Sequence, residues 1–545
     1  MLKFKKFLER SGLDEKPFQT ECFEWCLNKE QAAATSEAAT SEAATNVAAN
    51  EAANEGGLAE RAGLPPKWGC GGETPSGILA LEMGLGKTII MLGLIECNFQ
   101  RHTLIILPLV LLAQWEKCIK KYFGHQPLIY HGSHPKSLLL SLEQVMQKPI
   151  VLTTYGQISL PSEKQIKRGR KPSLLNKIPW DRIICDEAHH VSHKSTNEFK
   201  GVKSLSAKIR WLVTGTPIQN SEQELYNLFA LLGFDRPVTY YNEGTNYTDA
   251  VKQFIFHKTK AGVGIQIPTL HEHTESVQWE NETERQFSSH IHSLLTFCNV
   301  PKQSIASEME AEEDPRILRM KYLTKSRQVC IYPPMLKTTI NHFEKILKNK
   351  KAQTQYDRET ALYENFKIGE LYVSESKINA VVKTLTERKG NGCGKIVFCH
   401  YYAEIDALEM RLKQTGGFKK ISKFDGRITS SKVKQEILND PTNEVLLAQI
   451  KMCQEGLNLQ ENYSEVYFPS PHFNPAAEDQ AVARCWRIGQ QKEVFVFRYI
   501  MIDTEAPNAV APNAVAPNAY SMDSYSAWLQ SNKRERIIKM EDAAK

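Results

Sequence analysis

The chain has 545 residues, and 68 Lys and Arg against 62 Asp and Glu leave a formal net charge of +6. Hydrophobic residues make up 41% and charged residues 24%, both near the averages of globular proteins. This composition excludes a mainly disordered chain, a fibrous repeat, a small disulfide scaffold and a polytopic membrane protein, and the length predicts two to four domains. The small positive surplus neither requires nor excludes a nucleic-acid partner.

The cysteines and the N-terminus indicate a reducing compartment. The twelve cysteines lie mostly inside apolar runs, as buried thiols do. Cys22 and Cys26 have helical spacing, but no second pair lies at zinc-module distance, so we expect no structural zinc. MLKFKKFLER lacks an apolar signal core, and no segment approaches the roughly 20 apolar residues of a membrane span. We therefore expect no membrane association and a location in the cytoplasm, the nucleus or a viral factory.

Two low-complexity segments interrupt the chain. Residues 31–57 and residues 506–519 both repeat with a period of about five residues, which fits neither a helical stripe nor an alternating strand. We expect both to be solvated insertions, the Ala-rich first one being compatible with a partial helix.

Elsewhere, short apolar runs alternate with amphipathic segments, which favours parallel sheets of the α/β type. The predicted buried strands are 103–112, 149–155, 181–187, 210–216, 395–400, 444–450 and 465–470. They form two groups, at about 78–216 and 395–500. Between about 236 and 370 the strand signal fades and charged helical patterns replace it, which predicts two α/β lobes with a helical insertion between them.

The segment GILALEMGLGKTIIMLGLI (77–95) reads as a strand, a glycine turn and a helix. Glycines let backbone N–H groups approach phosphates, and a helix N-terminus adds partial positive charge. Lys87 would reach the β- and γ-phosphates of a nucleotide, and Thr88 would hold Mg²⁺. The expected nucleotide-binding residues of the turn are Met83, Gly84, Leu85, Gly86, Lys87 and Thr88. The alternative is a glycine turn without a ligand.

The segment IICDEAHHV (183–191) is an apolar strand that ends in two carboxylates. Phosphoryl transfer needs a metal that neutralises charge and a group that positions the nucleophile. We expect Asp186 to hold Mg²⁺ and Glu187 to orient and deprotonate the attacking water. Alone, two acidic residues after a strand are equally typical of a turn. The nearby histidines resemble a metal cluster, but His189 is better explained as a bridge from this site to the next motif.

The segment QAVARCWRIGQ (480–490) places Arg484 and Arg487 three residues apart, on one face of a predicted helix. Arginines that reach the γ-phosphate across a cleft stabilise the charge of the transition state, by about 10³–10⁵ in rate. The alternative is two surface arginines.

In order, GILALEMGLGKT, DEAH, LVTGTPIQN (212–220), EGLNLQ (455–460) and ARCWRIGQ resemble the superfamily 2 helicase-like ATPases. TGTPIQN and RIGQ resemble one branch of them, the Swi/Snf-family DNA-dependent ATPases and translocases. Residues 16–25 resemble the adenine-recognition segment of that family, with Gln19 as its glutamine, and Gly456 lies in the EGLNLQ motif. The resemblance covers roughly 16–29 and 77–500.

The resemblance implies two RecA-like parallel-sheet lobes of the P-loop NTPase class, with ATP and Mg²⁺ bound where the lobes meet. The expected division is lobe 1 at 1–235, a helical insertion at 236–370, lobe 2 at 371–505 and a repeat-containing tail at 506–545. It further implies translocation on double-stranded DNA without strand separation, in the remodelling of chromatin, repair or transcription complexes. Thr214, Gly215 and Thr216 would couple the ATP site to DNA.

The sequence departs from the family pattern at several positions: Leu81, Cys453, Gln454, Ser470, His472 and Trp486. These departures put the rate and the coupling to DNA in doubt more than hydrolysis itself. A strand-separating DNA or RNA helicase and a non-enzymatic DNA-binding scaffold are the competing functions. TGTPIQN and RIGQ argue against the first, and the intact Lys87 and Glu187 argue against the second.

The run KQIKRGRKP (164–172) has five basic residues in nine. It resembles a hook that enters the narrow minor groove of A·T-rich DNA, and also a nuclear import signal. The alternative is a solvated loop. The basic residues expected to contact DNA are Lys167, Arg168, Arg170 and Lys171. Contacts should go mainly to phosphates, with acidic residues such as those in 308–314 facing elsewhere.

Overall fold

The structure is a computed structural model. The residues it describes are 2–48, 75–219, 221–234, 247–265, 267–297, 315–341, 367–453, 457–502 and 521–544. They divide into two compact units. The first unit is Met1–Gln266 with Lys533–Lys545, and the second unit is Ile267–Asn532.

The first unit is built on a parallel sheet. Its strands are β1 (Gly77–Leu81), β2 (Thr103–Leu107), β3 (Leu128–Ile129), β4 (Ile150–Thr154), β5 (Trp180–Asp186), β6 (Ala207–Thr214) and β7 (Ile255–Lys258). Within the described residues they pair in the order β3-β4-β2-β5-β6-β1-β7. Because every pair is parallel, the carboxyl ends of all the strands meet at one edge of the sheet.

Helices connect these strands. They are α1 (Leu2–Arg10), α2 (Pro17–Ala48), α3 (Lys87–Cys97), α4 (Leu112–Phe123), α5 (Leu142–Met146), α6 (Tyr155–Ile158), α7 (Glu163–Lys167), α8 (Asn197–Ser204), α9 (Glu222–Leu231) and α10 (Tyr247–Phe254). Along β1, Ile78 and Ala80 belong to one apolar core, whereas Leu79 and Leu81 belong to another. A sheet covered on both faces explains why its strands read as unbroken apolar runs.

The second unit has a parallel sheet of its own. Its strands are β8 (Leu270–Val277), β9 (Lys395–Cys399), β10 (Ile421–Phe424), β11 (Val445–Gln449), β12 (Glu465–Phe468) and β13 (Val494–Met501). Among the described residues their order is β10-β11-β9-β12-β13-β8. Val397 and Ile396 of β9 lie in different cores, so this sheet is also covered on both faces.

The helices that follow β8 are α11 (Glu282–Phe297), α12 (Pro315–Ile331), α13 (Ser376–Glu387), α14 (Tyr402–Thr415), α15 (Ser431–Asn439), α16 (Ile450–Cys453), α17 (Pro475–Val482) and α18 (Met522–Ala544). Phe287 and Ile291 of α11 share a small apolar cluster with Val329 of α12. This helical pair belongs to the second unit. At the end of the chain, α18 contributes Met522 to a core of the second unit and Met540 to a core of the first.

The predicted α/β class with two parallel sheets is confirmed, and each of the seven predicted strands overlaps an observed one. The helical interpretation of 236–370 needs correction in two places, because β7 pairs with β1 and β8 pairs with β13. Residues 272–276 of β8 are exposed, so this edge strand lacks the apolar run by which a buried strand is identified.

Both repeats and several predicted features lie partly or wholly outside the described residues. Helix α2 continues into the Ala-rich repeat as far as Ala48. Residues 49–57, 308–314 and 506–519 are not among those described. None of the described helices combines the length and the apolar composition needed to cross a bilayer.

Candidate nucleotide-binding site

The loop between β1 and α3, residues 82–86, has the backbone of a phosphate-binding turn. Gly84 and Gly86 have φ angles of 92° and 85°, in the left-handed region that glycine adopts without strain. Gly86 caps the N-terminus of α3, which begins at Lys87. Since β1 is buried throughout and Ile90–Ile95 of α3 are buried as well, the turn is held at both ends by the core.

Gln19, the predicted adenine-recognition residue, contacts this loop directly. Its amide Nε2 donates a hydrogen bond to the carbonyl oxygen of Leu85 at 3.0 Å, and its side chain is buried. A Cβ atom at Gly86 would lie 2.4 Å from the same Nε2. Helix α2 therefore brings Gln19 to the phosphate loop, where its amide lies close to Gly86.

Lys87 is folded back on the strand that precedes it. Its Nζ donates to the carbonyl oxygen of Leu81 at 3.0 Å. A Cβ atom at Gly215 would lie 3.3 Å from this Nζ, so the segment after β6 runs beside the loop. Thr88, in the first turn of α3, and Met83, in the loop, are both half-buried.

Asp186 is the last residue of β5 and is buried. The indole Nε1 of Trp115 donates to its Oδ2 at 2.7 Å, and the backbone N–H of Glu187 donates to its Oδ1 at 3.0 Å. Burial, and next the charge of Glu187, raise the pKa of Asp186 to about 6, while Trp115 and Lys87 oppose that rise. The site thus holds a buried carboxylate that accepts two N–H hydrogen bonds, and these do not fully offset the cost of its burial.

Glu187 has a φ angle of 50° and is the one non-glycine residue with a positive φ among those described. This conformation is uncommon for residues with a Cβ and is typical of functional sites. Its Oε2 lies 3.4 Å from Nδ1 of His189. The backbone strain at this position therefore coincides with the residue predicted to activate water.

His189 connects Glu187 to the end of β6. Its Nδ1 lies 3.1 Å from the hydroxyl of Thr214, and the backbone N–H of Thr216 donates to the same hydroxyl at 3.2 Å. Burial lowers the pKa of His189 to about 4, so its ring is neutral near pH 7. The structure thus brings together Glu187, His189, Thr214 and Thr216, in the way expected of a bridge between the two motifs.

The other two histidines have neighbours that explain them without a metal. The ring of His190 stacks on that of Tyr155, with centroids 6.1 Å apart. Nε2 of His193 lies 3.9 Å from Oε1 of the buried Glu224. Among the described residues, no group of three or more His, Cys, Asp and Glu is arranged to hold a metal ion.

Sequence reasoning missed two aromatic residues that hold the carboxyl end of β5. Trp115 of α4 bonds to the carboxylate of Asp186, and the hydroxyl of Tyr155 donates to its carbonyl oxygen at 2.6 Å. Both side chains are buried. The sequence could have indicated both residues, because a Trp or Tyr in an apolar segment needs a hydrogen-bond partner for its polar atom when it is buried.

Arg484 and Arg487 do not lie on a helix, which corrects the prediction. Helix α17 ends at Val482, and the carbonyl oxygen of Arg484 accepts a hydrogen bond from the backbone of Leu459. A carbonyl turned toward another segment cannot continue the helical ladder. Arg484 is buried, and Nη1 of Arg487 donates to Oδ1 of Asn458 at 2.7 Å.

Two of the departures from the family pattern, Ser470 and Trp486, make side-chain hydrogen bonds to segments outside their own motifs. The hydroxyl of Ser470 donates to Oδ1 of Asp523 at 2.8 Å, so α18 supplies a carboxylate next to the position where Asp is usual. The indole of Trp486 donates to the carbonyl oxygen of Pro268 at 2.8 Å. Gly456, Gln454 and the side chain of Cys453 lie outside the described residues.

The basic segment 164–172 is not part of the nucleotide site. It follows α6 and includes α7, and Lys167, Arg168, Arg170 and Lys171 are all exposed. Its Gly169 has a φ angle of 85°, and the backbone of Arg170 bonds back to Gln165 at 3.0 Å. The four cations therefore lie on a turned surface loop.

A parallel sheet, a left-handed glycine turn that leads into a helix at Lys87, and an aspartate at the end of another strand define the class of P-loop nucleoside triphosphatases. The SNF2-related domain model matches residues 18–335, and the helicase conserved C-terminal domain model matches residues 376–489. Because the first match covers more than half of the chain, the chain belongs to the SNF2-related family.

Similar proteins agree with this assignment. The chain is 25% identical over 500 residues to the "DNA excision repair protein ERCC-6-like" of Danio rerio, a match of 78% of this chain and 33% of that relative. It is 26% identical over 445 residues to the "Probable global transactivator" of Orgyia pseudotsugata multicapsid polyhedrosis virus, covering 79% of this chain and 82% of the viral protein. The chain thus spans about a third of the excision-repair relative.

Among solved structures, the chain is similar to a "Sulfolobus solfataricus SWI2/SNF2 ATPase core in complex with dsDNA". The two are 20% identical, and the match covers 78% of this chain and 83% of that one. The TM-score is 0.31, which is too low to establish a shared overall arrangement.

Proposed function

We propose that this chain is an ATP hydrolase that is stimulated by double-stranded DNA, translocates along the duplex and remodels protein–DNA complexes without separating the strands. The observation that carries the proposal is the arrangement at the carboxyl edge of the first sheet. There Lys87 begins the helix after β1, Asp186 and Glu187 lie at the end of β5, and His189 joins Glu187 to Thr214 at the end of β6. The residues proposed to act on the nucleotide and the residues proposed to couple the site to DNA thus belong to the same unit.

The residues of the site suit ATP with Mg²⁺. Mg²⁺ prefers oxygen ligands, which the carboxylate of Asp186 and the hydroxyl of Thr88 would supply. With a pKa of about 6, Asp186 is mostly ionised at pH 7.5, and its two N–H donors leave oxygen lone pairs for a metal. When bound, Mg²⁺ would neutralise charge on the phosphates.

In the proposed reaction, each residue of the site has a separate role. Lys87 exchanges the carbonyl oxygen of Leu81 for phosphate oxygens, and Gly84 and Gly86 let the loop backbone approach them. Glu187 orients the attacking water and takes its proton. Arg484 and Arg487 of the second unit stay proposed as the groups that stabilise the transition state, Gly456 as a nucleotide contact and Gln19 as the adenine contact.

An ATPase assay with a panel of nucleic acids tests the proposal. Phosphate release is measured without nucleic acid and with linear duplex DNA, single-stranded DNA and duplex RNA, for the wild type and for Lys87→Ala. We expect stimulation of at least tenfold by duplex DNA and loss of activity in Lys87→Ala, because the phosphate loop then lacks its cation. Equal activity in all conditions would contradict DNA dependence, and unchanged activity in Lys87→Ala would contradict the assigned site.

Two further assays separate the competing functions. Displacement of a triplex-forming strand reports translocation along a duplex, whereas release of one duplex strand reports strand separation. We expect the first and not the second. Efficient unwinding of a tailed duplex would favour a helicase, and DNA binding without ATP hydrolysis would favour a scaffold.

The proposed DNA contacts of the 164–172 loop have a quantitative test. For B-DNA, log K falls with log[salt] at a slope of about −0.9 for each neutralised phosphate. Replacing Lys167, Arg168, Arg170 and Lys171 with Gln should therefore flatten the slope by about 2–4. An unchanged slope would place the DNA surface elsewhere. Nucleosomes or repair and transcription complexes as partners, and a nuclear or viral-factory location, complete the proposal.

A further inference from the structure

The first residue of the phosphate loop, Glu82, is bonded to the segment that follows β7. Its backbone N–H donates to the carbonyl oxygen of Lys258 at 3.0 Å. Its carboxylate then receives both donors of Lys260: the backbone N–H donates to Oε2 at 2.7 Å, and Nζ lies 3.1 Å from Oε1. Lys260 therefore contacts both oxygens of the Glu82 carboxylate, which fixes the orientation of this side chain as well as its position.

Burial makes this contact stronger than an ordinary surface ion pair. The side chain of Lys260 is only 3% exposed, whereas that of Glu82 is 34% exposed. A buried ammonium group is costly unless a carboxylate compensates it. The pairing of Leu81 with Lys258 sets the register that brings Lys260 to Glu82. Strand β7, which the sequence did not predict, thus delivers a cation to the base of the phosphate loop.

The opposite end of the loop is held by a different element. Gln19 of α2 bonds to the carbonyl oxygen of Leu85, three residues after Glu82. Met83 and Gly84 lie between these two attachment points. Next to Glu82, the carbonyl oxygen of Leu81 accepts the hydrogen bond from Lys87. A shift of Glu82 would therefore move the loop backbone and the resting place of the phosphate-binding lysine together.

We propose that Lys260 is a positioning residue for ATP binding, which holds the phosphate loop in its binding conformation through the carboxylate of Glu82. The inference rests on the proposed function, because it names what keeps that same site in shape. Lys260 takes no part in the chemical step. Its loss should weaken nucleotide binding, with much less effect on turnover at saturating ATP.

The test is a double-mutant cycle with Lys260→Met, Glu82→Gln and the double variant. The dissociation constant of a fluorescent ATP analogue is measured together with KM and kcat for ATP in the presence of duplex DNA. We expect each single variant to raise the dissociation constant and KM about five- to tenfold, within the range expected for the loss of one intramolecular hydrogen bond. The double variant should bind the analogue no more weakly than the weaker-binding single variant. In all three variants kcat should stay within about threefold of the wild-type value.

Lys258→Met is the matched control, because Nζ of Lys258 pairs with Glu21 at 3.0 Å and its backbone bond to Glu82 survives the change. It should leave KM within about twofold. If Lys260→Met does not fold, as a melting curve shows, Glu82→Gln carries the test alone. Wild-type KM in Glu82→Gln, additive effects in the cycle, or a loss confined to kcat would overturn the inference. If the wild-type protein binds the analogue but does not hydrolyse ATP, the result would instead contradict the proposed function.

Discussion

The candidate nucleotide site of the first unit and two ion pairs of the second unit hold buried charges in opposite ways. In the first unit, Asp186 and Glu187 are adjacent carboxylates, and the charge of one raises the pKa of the other. In the second unit, opposite charges meet: Lys377 pairs with Asp523, both fully buried, and Arg498 donates to the buried Glu478 at 2.9 Å. Like charges cost folding free energy, whereas matched pairs offset the cost of their own burial.

This difference separates a site from a structural framework. A carboxylate pair that raises its own pKa, with a strained φ at one of its two residues, is typical of a functional site. The pairs of the second unit connect elements of its fold. For example, Asp523 links the start of α18 to Lys377 of α13 and to the hydroxyl of Ser470. The two regions should therefore respond differently to removal of a carboxylate.

The largest expected effect is the loss of turnover in Glu187→Gln. The amide keeps the shape of the side chain but cannot accept a proton, so kcat should fall about 10²–10⁴-fold. Because one of two repelling charges disappears, the melting temperature should not fall. Phosphate release and a melting curve on the same sample check both statements. A kcat within tenfold of the wild type would remove Glu187 from the reaction, and a lower melting temperature would contradict the contrast between this site and the ion pairs of the second unit.

The second prediction concerns Asp523→Ala, which should lower the free energy of unfolding by about 3–5 kcal/mol. The change leaves the ammonium of Lys377 buried without its carboxylate. It also removes the acceptor for the backbone N–H of Met501. Denaturant unfolding followed by circular dichroism measures the loss.

Asp406→Ala is the matched control, because Asp406 also faces a cation but is half exposed. Nη1 of Arg427 lies 2.8 Å from it, and the side chain of Asp406 is 46% exposed. An exposed pair contributes about 0–1 kcal/mol, so this variant should be close to the wild type. Equal losses in Asp523→Ala and Asp406→Ala would show that burial does not set the strength of these pairs.

The third prediction is a pH dependence that arises in the second unit. Glu404 is buried and accepts N–H bonds from His400 at 2.7 Å and from Tyr401 at 3.1 Å. Burial raises the pKa of Glu404 from 4.5 to about 7, although these bonds and the charges of Arg327 and Lys377 oppose the rise. The folded state thus binds the proton more tightly than the unfolded state, and its contribution to stability is lost as the pH rises from about 4.5 through 7.

Glu404→Gln should remove that dependence, because the amide stays neutral. From pH 5 to pH 8 the stability of the variant relative to the wild type should rise by about 2–3 kcal/mol. Burial lowers the pKa of the neighbouring His400 well below 6.5. Glu409→Gln on the same helix is the control, since the pKa of Glu409 is already low. Parallel pH curves for Glu404→Gln and the wild type would contradict the assignment.

The sequence predicted the parts of the fold and of the site that depend on local pattern. Buried parallel strands produce apolar runs, and a glycine turn before Lys87 needs only its own residues. Strand β8 could not be found in this way, because its side chains are exposed and it is defined by pairing with β13. The ionic contact of Lys260 with Glu82 joins residues far apart in the sequence, so it depends on the register of β7.

The arginine motif shows the same limit on a smaller scale. Helical spacing predicted that Arg484 and Arg487 share a helix face. In the structure the backbone of Leu459 captures the carbonyl oxygen of Arg484, and the helix has already ended at Val482. Spacing within the motif predicted a shared helix face, whereas the conformation depends on a partner segment outside the motif.

The smallest expected effect tests how tightly the first unit packs the helix of its phosphate loop. Gly93 lies inside α3, where a Cβ atom would come 2.4 Å from Cε2 of Phe4. Phe4 has little room to move, because its ring stacks on that of Phe23 with centroids 4.2 Å apart. Alanine would gain about 1 kcal/mol in helix propensity but would overpack the contact by about 1–3 kcal/mol.

We therefore expect Gly93→Ala to lower the free energy of unfolding by about 1 kcal/mol. Gly156→Ala in α6 is the matched control, since nothing lies within 4 Å of its added Cβ. It should be neutral or slightly stabilising. Adding Phe4→Leu to Gly93→Ala should recover part of the loss, because the smaller side chain makes room for the methyl group. If Gly93→Ala is as stable as the wild type, then Phe4 of α1 does not confine this side of α3.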